Sequence, residues 1–351
     1  MKSFDFVQPR TVAEALAAWG PGAVWLGGGT SLIDLMKLGV AQPDVVIDLG
    51  RVAGMRSVDV QGDGAVRIGA LVSNADLTRD AAFAARFPMV AEALLSGASG
   101  QLRNAATVAG NLMQHTRCAY FQDAGAACNR RDPGAGCDAQ GGVGGGVAVL
   151  GASPACIAVN PSDFCVPLAA LDAVVEVQGP EGGREIAMAD FHLLPGDTPD
   201  RVTALAPGEL IVALRLPAGA DGFAGHSRYL KVRDRTSFAF ATASAAAGLR
   251  MEHGRIAEAR LALGAVAAKP WRVAEAEAVL IGQTPDADLF DRAATIAMAG
   301  AEPGDDLAWK IDLARKTAVR ALCLAAAGTP ARMPALPASV FAEPAGEKVH
   351  A

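Results

Sequence analysis

From residue 117 to 146 the chain reads R-C-A-Y-F-Q-D-A-G-A-A-C-N-R-R-D-P-G-A-G-C-D-A-Q-G-G-V-G-G-G. Cys118, Cys128 and Cys137 lie in this stretch, and Cys156 follows shortly after it. The segment has almost no hydrophobic run and is rich in Gly, Asp and Arg. Such a composition cannot bury enough apolar surface to offset the entropy lost on ordering. A fold containing it must hold it by something other than a core. Thiolates around an iron–sulfur cluster or a zinc ion would do so. The gaps of nine, eight and eighteen residues lack the close C-x2-C pairs usual in structural zinc sites. That weighs against zinc, though both readings stand on the residues alone.

The rest of the chain is ordinary by comparison. Its 351 residues suffice for two or three domains, and 51% hydrophobic content provides core. A net charge of −6 argues against nucleic acid as a partner, because phosphate binding wants a basic face. No run of 18 apolar residues predicts a membrane span. The first residues, M-K-S-F-D-F, lack the apolar region of a signal peptide, so cytoplasm is the default expectation. Six cysteines in that setting favour reduced thiols or metal binding over disulfides.

Periodicity predicts a mixed α+β chain. Thr11 with Glu14 reads as a capping box for a helix through Trp19. Strands are expected at 23–26, 45–49, 66–68, 174–178 and 210–216, with helices at 73–79, 88–95 and, capped by Ser162 or Asp163, through Leu171. After about residue 222 the pattern changes. Strands near 227–232, 239–250 and 256–264 give way to helices at 272–281, 289–299 and 307–327. From Thr329 the chain is rich in Pro and Ala and reads as an unpacked tail, or one laid over a partner.

Three segments look able to hold a nucleotide. Leu26-Gly27-Gly28-Gly29-Thr30-Ser31-Leu32 runs from a strand through three glycines into a helix. Glycines let backbone N–H groups approach a phosphate, and the helix start adds partial positive charge. The bland alternative is a tight strand-to-helix turn. Residues 104–112 place Thr107, Gly110 and Asn111 in a polar turn beside the cysteine loop; a capped turn would explain them equally. Asp163 is a third candidate, for which a helix N-cap is a sufficient explanation. Of the remaining cysteines, Cys165 lies in an apolar helical run and Cys323 sits between leucines, so both read as core thiols. His115 reads as a polar loop residue or a spare metal ligand.

L-G-G-G-T-S-L, T-V-A-G-N-L, P-S-D-x-x-x-x-L-A-A-L-D-A, F-H-L-L-P-G-D-T-P and L-x-P-G-E-L-I occur in that order. Together they resemble the FAD-binding subunits of molybdenum hydroxylases, the xanthine dehydrogenase and carbon monoxide dehydrogenase family. The likeness spans roughly residues 3–327. The cysteine loop most resembles that of the bacterial periplasmic aldehyde oxidoreductases, and 4-hydroxybenzoyl-CoA reductases carry a comparable insertion.

The resemblance implies a two-lobed FAD-binding domain of the vanillyl-alcohol oxidase (PCMH) type at 1–222, with the [4Fe-4S] insertion at about 117–157. A C-terminal domain at 223–328, a three-stranded sheet with helices, would precede the tail at 329–351. It further implies that residues 26–32 embrace the FAD pyrophosphate and that Thr107, Gly110 and Asn111 line the flavin and pyrophosphate. Asp163 would contact the nucleotide, Ile211 would pack by the isoalloxazine, and Lys231 would sit at its polar edge; alone, Lys231 reads as a solvated strand lysine. Cys118, Cys128, Cys137 and Cys156 would hold a [4Fe-4S] cluster, with Cys165 as the alternative fourth ligand. The implied partners are a molybdopterin-binding large subunit and a small subunit with two [2Fe-2S] clusters, in a heterotrimer that passes electrons to an external acceptor. Periplasmic location by co-export with a signal-bearing small subunit is a further implication. A zinc-clamped assembly subunit without flavin remains the alternative from outside enzymology.

Overall fold

The computed structural model describes residues 1–142, 146–302, 304 and 307–331. Residues 143–145 of the cysteine loop and 332–351 of the expected tail therefore lie outside the described residues. Three sheets organise what is described.

A small parallel sheet runs β1 (Asp5–Val7), β3 (Val45–Asp48), β2 (Ala23–Leu26), with β3 in the middle. Between β1 and β2 lies the helix Val12–Ala18, whose first turn is fixed as the sequence predicts: Thr11 Oγ1 accepts from Glu14 N–H at 3.1 Å. A five-stranded antiparallel sheet follows. Its order is β4 (Val58–Val60), β5 (Val66–Gly69), β8 (Leu210–Leu216), β6 (Val174–Gly179), β7 (Gly182–Ala187). Strand β8 arrives from far along the chain to pair with both β5 and β6, and it is mostly buried.

The third sheet runs β12 (Trp271–Arg272), β11 (Arg255–Gly264), β10 (Ala243–Glu252), β9 (Ser227–Val232). It has four strands, not the three expected. The fourth falls where a helix from 272 was predicted; that helix shrinks to Ala274–Ala278. Side chains explain the change. Trp271 Nε1 donates to Ala297 O at 3.1 Å, and the Arg272 guanidinium is drawn to Glu277, Asp172 and Ala169 O. These pulls hold both residues extended along β11.

Successive residues of β10 serve two different cores. Ala243, Ala245, Ala247 and Leu249 pack with the helices Ala287–Ala297 and Ala308–Ala326. Ala246, from the opposite face, joins the core of the first two sheets. Strand periodicity of two dictates this split. Small side chains suit Ala243–Ala247 because both faces are covered there. Gly264 on β11 continues the logic: a Cβ there would lie 2.5 Å from Val166 Cγ2 in the helix Cys165–Ala170. The third sheet is thus pressed against the rest of the molecule, which brings β9 beside residues 160–170.

One expectation fails here, and the start of the expected tail shifts. Cys323 is exposed on the helix Ala308–Ala326 and is not a core thiol. Flanking leucines misled, because a helix turns about 100° per residue and neighbours do not share a face. Thr329 is not unpacked: its N–H donates to Gly225 O at 2.9 Å and its hydroxyl accepts from Ser227 N–H at 2.8 Å. Among the described residues no helix is long and apolar enough to cross a membrane.

Candidate cofactor site

Strand β2 ends at Leu26 and the chain turns through Gly27–Ser31 into the helix Leu32–Lys37. Gly28 is pressed on the end of another helix. A Cβ there would overlap the carbonyl of Ala105. Only glycine permits that approach. Beside it, Thr107 accepts from Gly110 N–H at 3.1 Å and caps the short helix Val108–Leu112. Thr107 therefore plays the bland role, while still lining the cleft.

Two cavities open on either side of this turn. One, of about 300 Å³, is apolar, walled by Trp19, Trp25, Leu49, Met55 and Ile211. The Trp19 and Trp25 rings lie 4.5 Å apart, and Trp25 Nε1 donates to Glu209 O at 3.0 Å. The other, of about 340 Å³, is lined by Arg103, Asn111, Arg117, Asp163, Lys231 and Phe240. The cavities share Thr30, Ser31 and Gly110. At that junction Ser31 Oγ is buried without a partner, and in the second cavity Asn74 Oδ1 is likewise unpartnered. Orphaned buried polar atoms are rare, and a ligand between the cavities would satisfy them.

Asp163 does not cap the helix that follows it. Ser162 takes that part, its Oγ accepting from Cys165 N–H at 3.1 Å. The Asp163 carboxylate instead accepts from Tyr229 OH at 2.6 Å and from Lys231 Nζ at 2.7 Å. Lys231 is no solvated strand lysine: its side chain is 3% exposed and it also donates to Ser96 O. Burial, then the Asp163 charge, pushes the Tyr229 hydroxyl pKa well up, so it stays a donor. Cys165 lies fully buried against this group, with burial raising its thiol to about 12. Asn111 is set by two bonds to its Oδ1, from Gln114 Nε2 and Ser162 Oγ, both 2.7 Å.

The structure thus brings together residues 26–32 with Thr107, Gly110 and Ile211 around the first cavity. Thr30, Ser31, Gly110, Asn111, Asp163 and Lys231 surround the second. Ile211 lines the first cavity and Lys231 the second. Sequence reasoning missed Ser162 as the residue that orients Asn111. It also missed the tryptophan wall. Trp19 was assigned only to a helix end and Trp25 to a strand; their meeting depends on sheet geometry.

Cys118, Cys128, Cys137 and Cys156 line one small cavity of about 10 Å³ with Phe121 and Arg130. All four are free thiols; Cys128 and Cys156 are buried. Cys165 is not among them. Burial raises the Cys137 thiol above its ordinary value. Among the described residues no group of three or more His, Cys, Asp and Glu converges closely enough to hold a single metal ion.

The loop is also less helpless than its composition predicts. Cys128 and Cys137 form an antiparallel bridge, with Asn129 N–H donating to Gly136 O at 2.7 Å and Asp138 N–H to Ala127 O at 3.0 Å. The Arg131 guanidinium reaches Tyr120 O and Phe121 O at 2.9 Å each, and also Ala126 O. Asn129 Nδ2 ties the loop to Ala155 O at 3.0 Å. Polar side chains supply the order that apolar burial cannot.

Residues 2–219 match the family described as the FAD binding domain in molybdopterin dehydrogenase, and residues 228–328 match the CO dehydrogenase flavoprotein C-terminal domain. The chain belongs to the FAD-binding subunits of molybdenum hydroxylases. It is 46% identical, over 93% of its length and 99% of the relative, to the aldehyde oxidoreductase FAD-binding subunit PaoB of Escherichia coli (strain K12). It is 30% identical to the carbon monoxide dehydrogenase medium chain of Afipia carboxidovorans, over 87% of this chain and 88% of that one. Among solved structures, reconstituted CO dehydrogenase from Oligotropha carboxidovorans matches with a TM-score of 0.73 at 28% identity, covering 93% of this chain and 99% of that chain. The fold is accordingly an FAD-binding domain followed by the flavoprotein C-terminal domain, in an oxidoreductase subunit that binds FAD. The reading as a flavin-free assembly subunit gives way to this membership.

Proposed function

We propose that this chain is the FAD- and [4Fe-4S]-carrying electron-transfer subunit of a molybdenum-dependent aldehyde oxidoreductase. The observation that carries the reading is the glycine turn at the junction of two cavities, with the buried Ser31 Oγ left unpartnered there. Residues 26–32 would hold the pyrophosphate, with Thr107, Gly110 and Asn111 beside it. Because Ile211 and Lys231 line separate cavities, we assign the adenine to the tryptophan-walled one, against Ile211. The isoalloxazine goes to the other, near Lys231. FAD supplies a carrier that takes electrons singly and releases them in pairs. Asp163 fixes the Lys231 ammonium in place, and a held cation favours negative charge on a reduced ring.

Four free thiols lining one cavity suit a cluster, which takes one thiolate at each corner and so spreads its ligands wider than a single ion would. Cys118, Cys128, Cys137 and Cys156 are the assigned ligands; the burial of Cys165 beside Tyr229 favours Cys156 over it. The 46% identity to a named aldehyde oxidoreductase subunit supports the aldehyde assignment over a xanthine, carbon monoxide or 4-hydroxybenzoyl-CoA one. The same likeness supports a heterotrimer with a molybdopterin-binding large subunit and a [2Fe-2S] small subunit. Electrons would arrive from the small subunit and leave to an external acceptor, in the cytoplasm or, by co-export, the periplasm. We place the domain boundary near residue 222, between the two matched spans.

Metal and flavin content of the complex, purified without chelator or air, tests this. About four irons per FAD beyond those of the small subunit, without zinc, is the expected result. Zinc with FAD would make the loop structural. Absence of both flavin and iron from well-folded protein would overturn the whole reading.

A further inference from the structure

Adjacent arginines in the cysteine loop have different fates. Arg131 spends its guanidinium on three backbone carbonyls. Arg130 makes no such bonds among the described residues: its Nε is buried and without a partner, and no described carboxylate pairs with it. It lines the cysteine cavity on one side and a separate pocket of about 20 Å³ on the other. That pocket, large enough for about one water, also receives His115 and His192. His192 Nε2 meets Leu112 O at 2.9 Å, so its Nδ1 is a bare acceptor, and the Nδ1 atoms of both histidines lack partners. Burial foremost, then Arg130 and Arg117 at His115 and Lys269 and Arg130 at His192, pushes both imidazoles down to about 4, so they are neutral near pH 7. None of these groups cancels the Arg130 charge.

We propose that Arg130 is the counter-cation of the four-cysteine site and sets the reduction potential of the group bound there. The inference rests on the cluster assignment made above. Four thiolates outweigh the charge of an iron–sulfur core, so the site is anionic and becomes more so when it gains an electron. A buried anion without compensation is costly, and Arg130 is a cation bordering that cavity with its charge unmatched. A neighbouring positive charge stabilises the reduced, more negative form and raises the potential.

The test is a redox titration of the intact complex, following the cluster by electron paramagnetic resonance and the flavin by absorbance, for wild type, Arg130→Gln and Arg130→Lys. Expected is a more negative cluster potential in Arg130→Gln, with about tenfold less reduced cluster at a fixed solution potential, the order of one charge acting through a protein interior. Arg130→Lys should lie near wild type. An unmoved potential in iron-replete Arg130→Gln overturns the inference. Should Arg130→Gln lose its iron, retention by Arg130→Lys supports the counter-charge, and equal loss from both refutes it. Wild-type protein without iron would instead sink the cluster assignment, and this inference with it.

Discussion

The glycine turn and the cysteine loop, the two cofactor sites proposed above, are made of opposite materials. At the turn the surface is backbone, held to shape by neighbours: Gly28 lies against the Ala105 carbonyl and Thr107 caps the next helix. In the loop the shape comes from side chains that reach the loop's own carbonyls, chiefly Arg131 and Asn129. Its apolar support is small, with Leu35, Phe121 and Cys128 as the buried members. A site of the first kind is destroyed by adding an atom. A site of the second kind is loosened by removing one. The two should therefore fail differently.

The sharpest way to separate them is to break the Asp163–Lys231 clamp, on the side proposed for the flavin. Asp163→Leu leaves the Lys231 ammonium buried without an acid and should cost about 4 kcal/mol of stability, read from denaturant unfolding. A loss under about 1 kcal/mol would show that Lys231 escapes to water and that this side is not rigid. Next comes Gly28→Ala. The added Cβ must displace the Ala105 carbonyl, costing about 3 kcal/mol and removing most bound flavin, while iron content holds. Parallel loss of iron would collapse the distinction between the sites.

On the loop side, Cys128→Ser should remove iron and leave flavin in place, the reverse pattern; unchanged iron would refute the ligand assignment. Arg131→Met removes the hydrogen bonds to three carbonyls and should weaken the loop by about 2 kcal/mol, seen as faster proteolysis within residues 118–140 at unchanged flavin content.

The smallest effect is in pH. His192 is buried and neutral in the fold at about 4, against 6.5 ordinarily. Between those values the unfolded chain binds a proton that the folded one does not, so stability falls as pH drops from 6.5 towards 4. Wild type should lose about 1 kcal/mol more than His192→Phe on moving from pH 7 to about pH 5.5. Parallel stability curves would place His192 in contact with water.

The longer buried strands and the Thr11 cap were readable from the chain, because period-two burial and Thr11-to-Glu14 chemistry are local, whereas β1, β4, β7 and β12, short or largely exposed, were not. Strand β8 was bounded correctly at 210–216 for the same reason. The pairing of Asp163 was not readable: its partners, Tyr229 and Lys231, lie more than sixty residues away, and a helix start nearby offered a simpler role. The tryptophan wall and the fate of Cys323 were hidden likewise, since each depends on which face a neighbour covers. The loop misled in another way. Composition measures apolar burial, and it is blind to an arginine that turns back on its own carbonyls.

The alanine strand β10, shared between two cores, has a consequence for cofactor exchange. Lys231 and Asp163 face each other across that seam, and both border the same cavity. Parting the seam would uncover that cavity, and a molecule bound there would pin the seam shut. Entry of a nucleotide and docking of the two halves are then one thermodynamic event. Excess ligand should raise the melting of both halves together, by the same mass action, and not that of the half carrying the glycines alone.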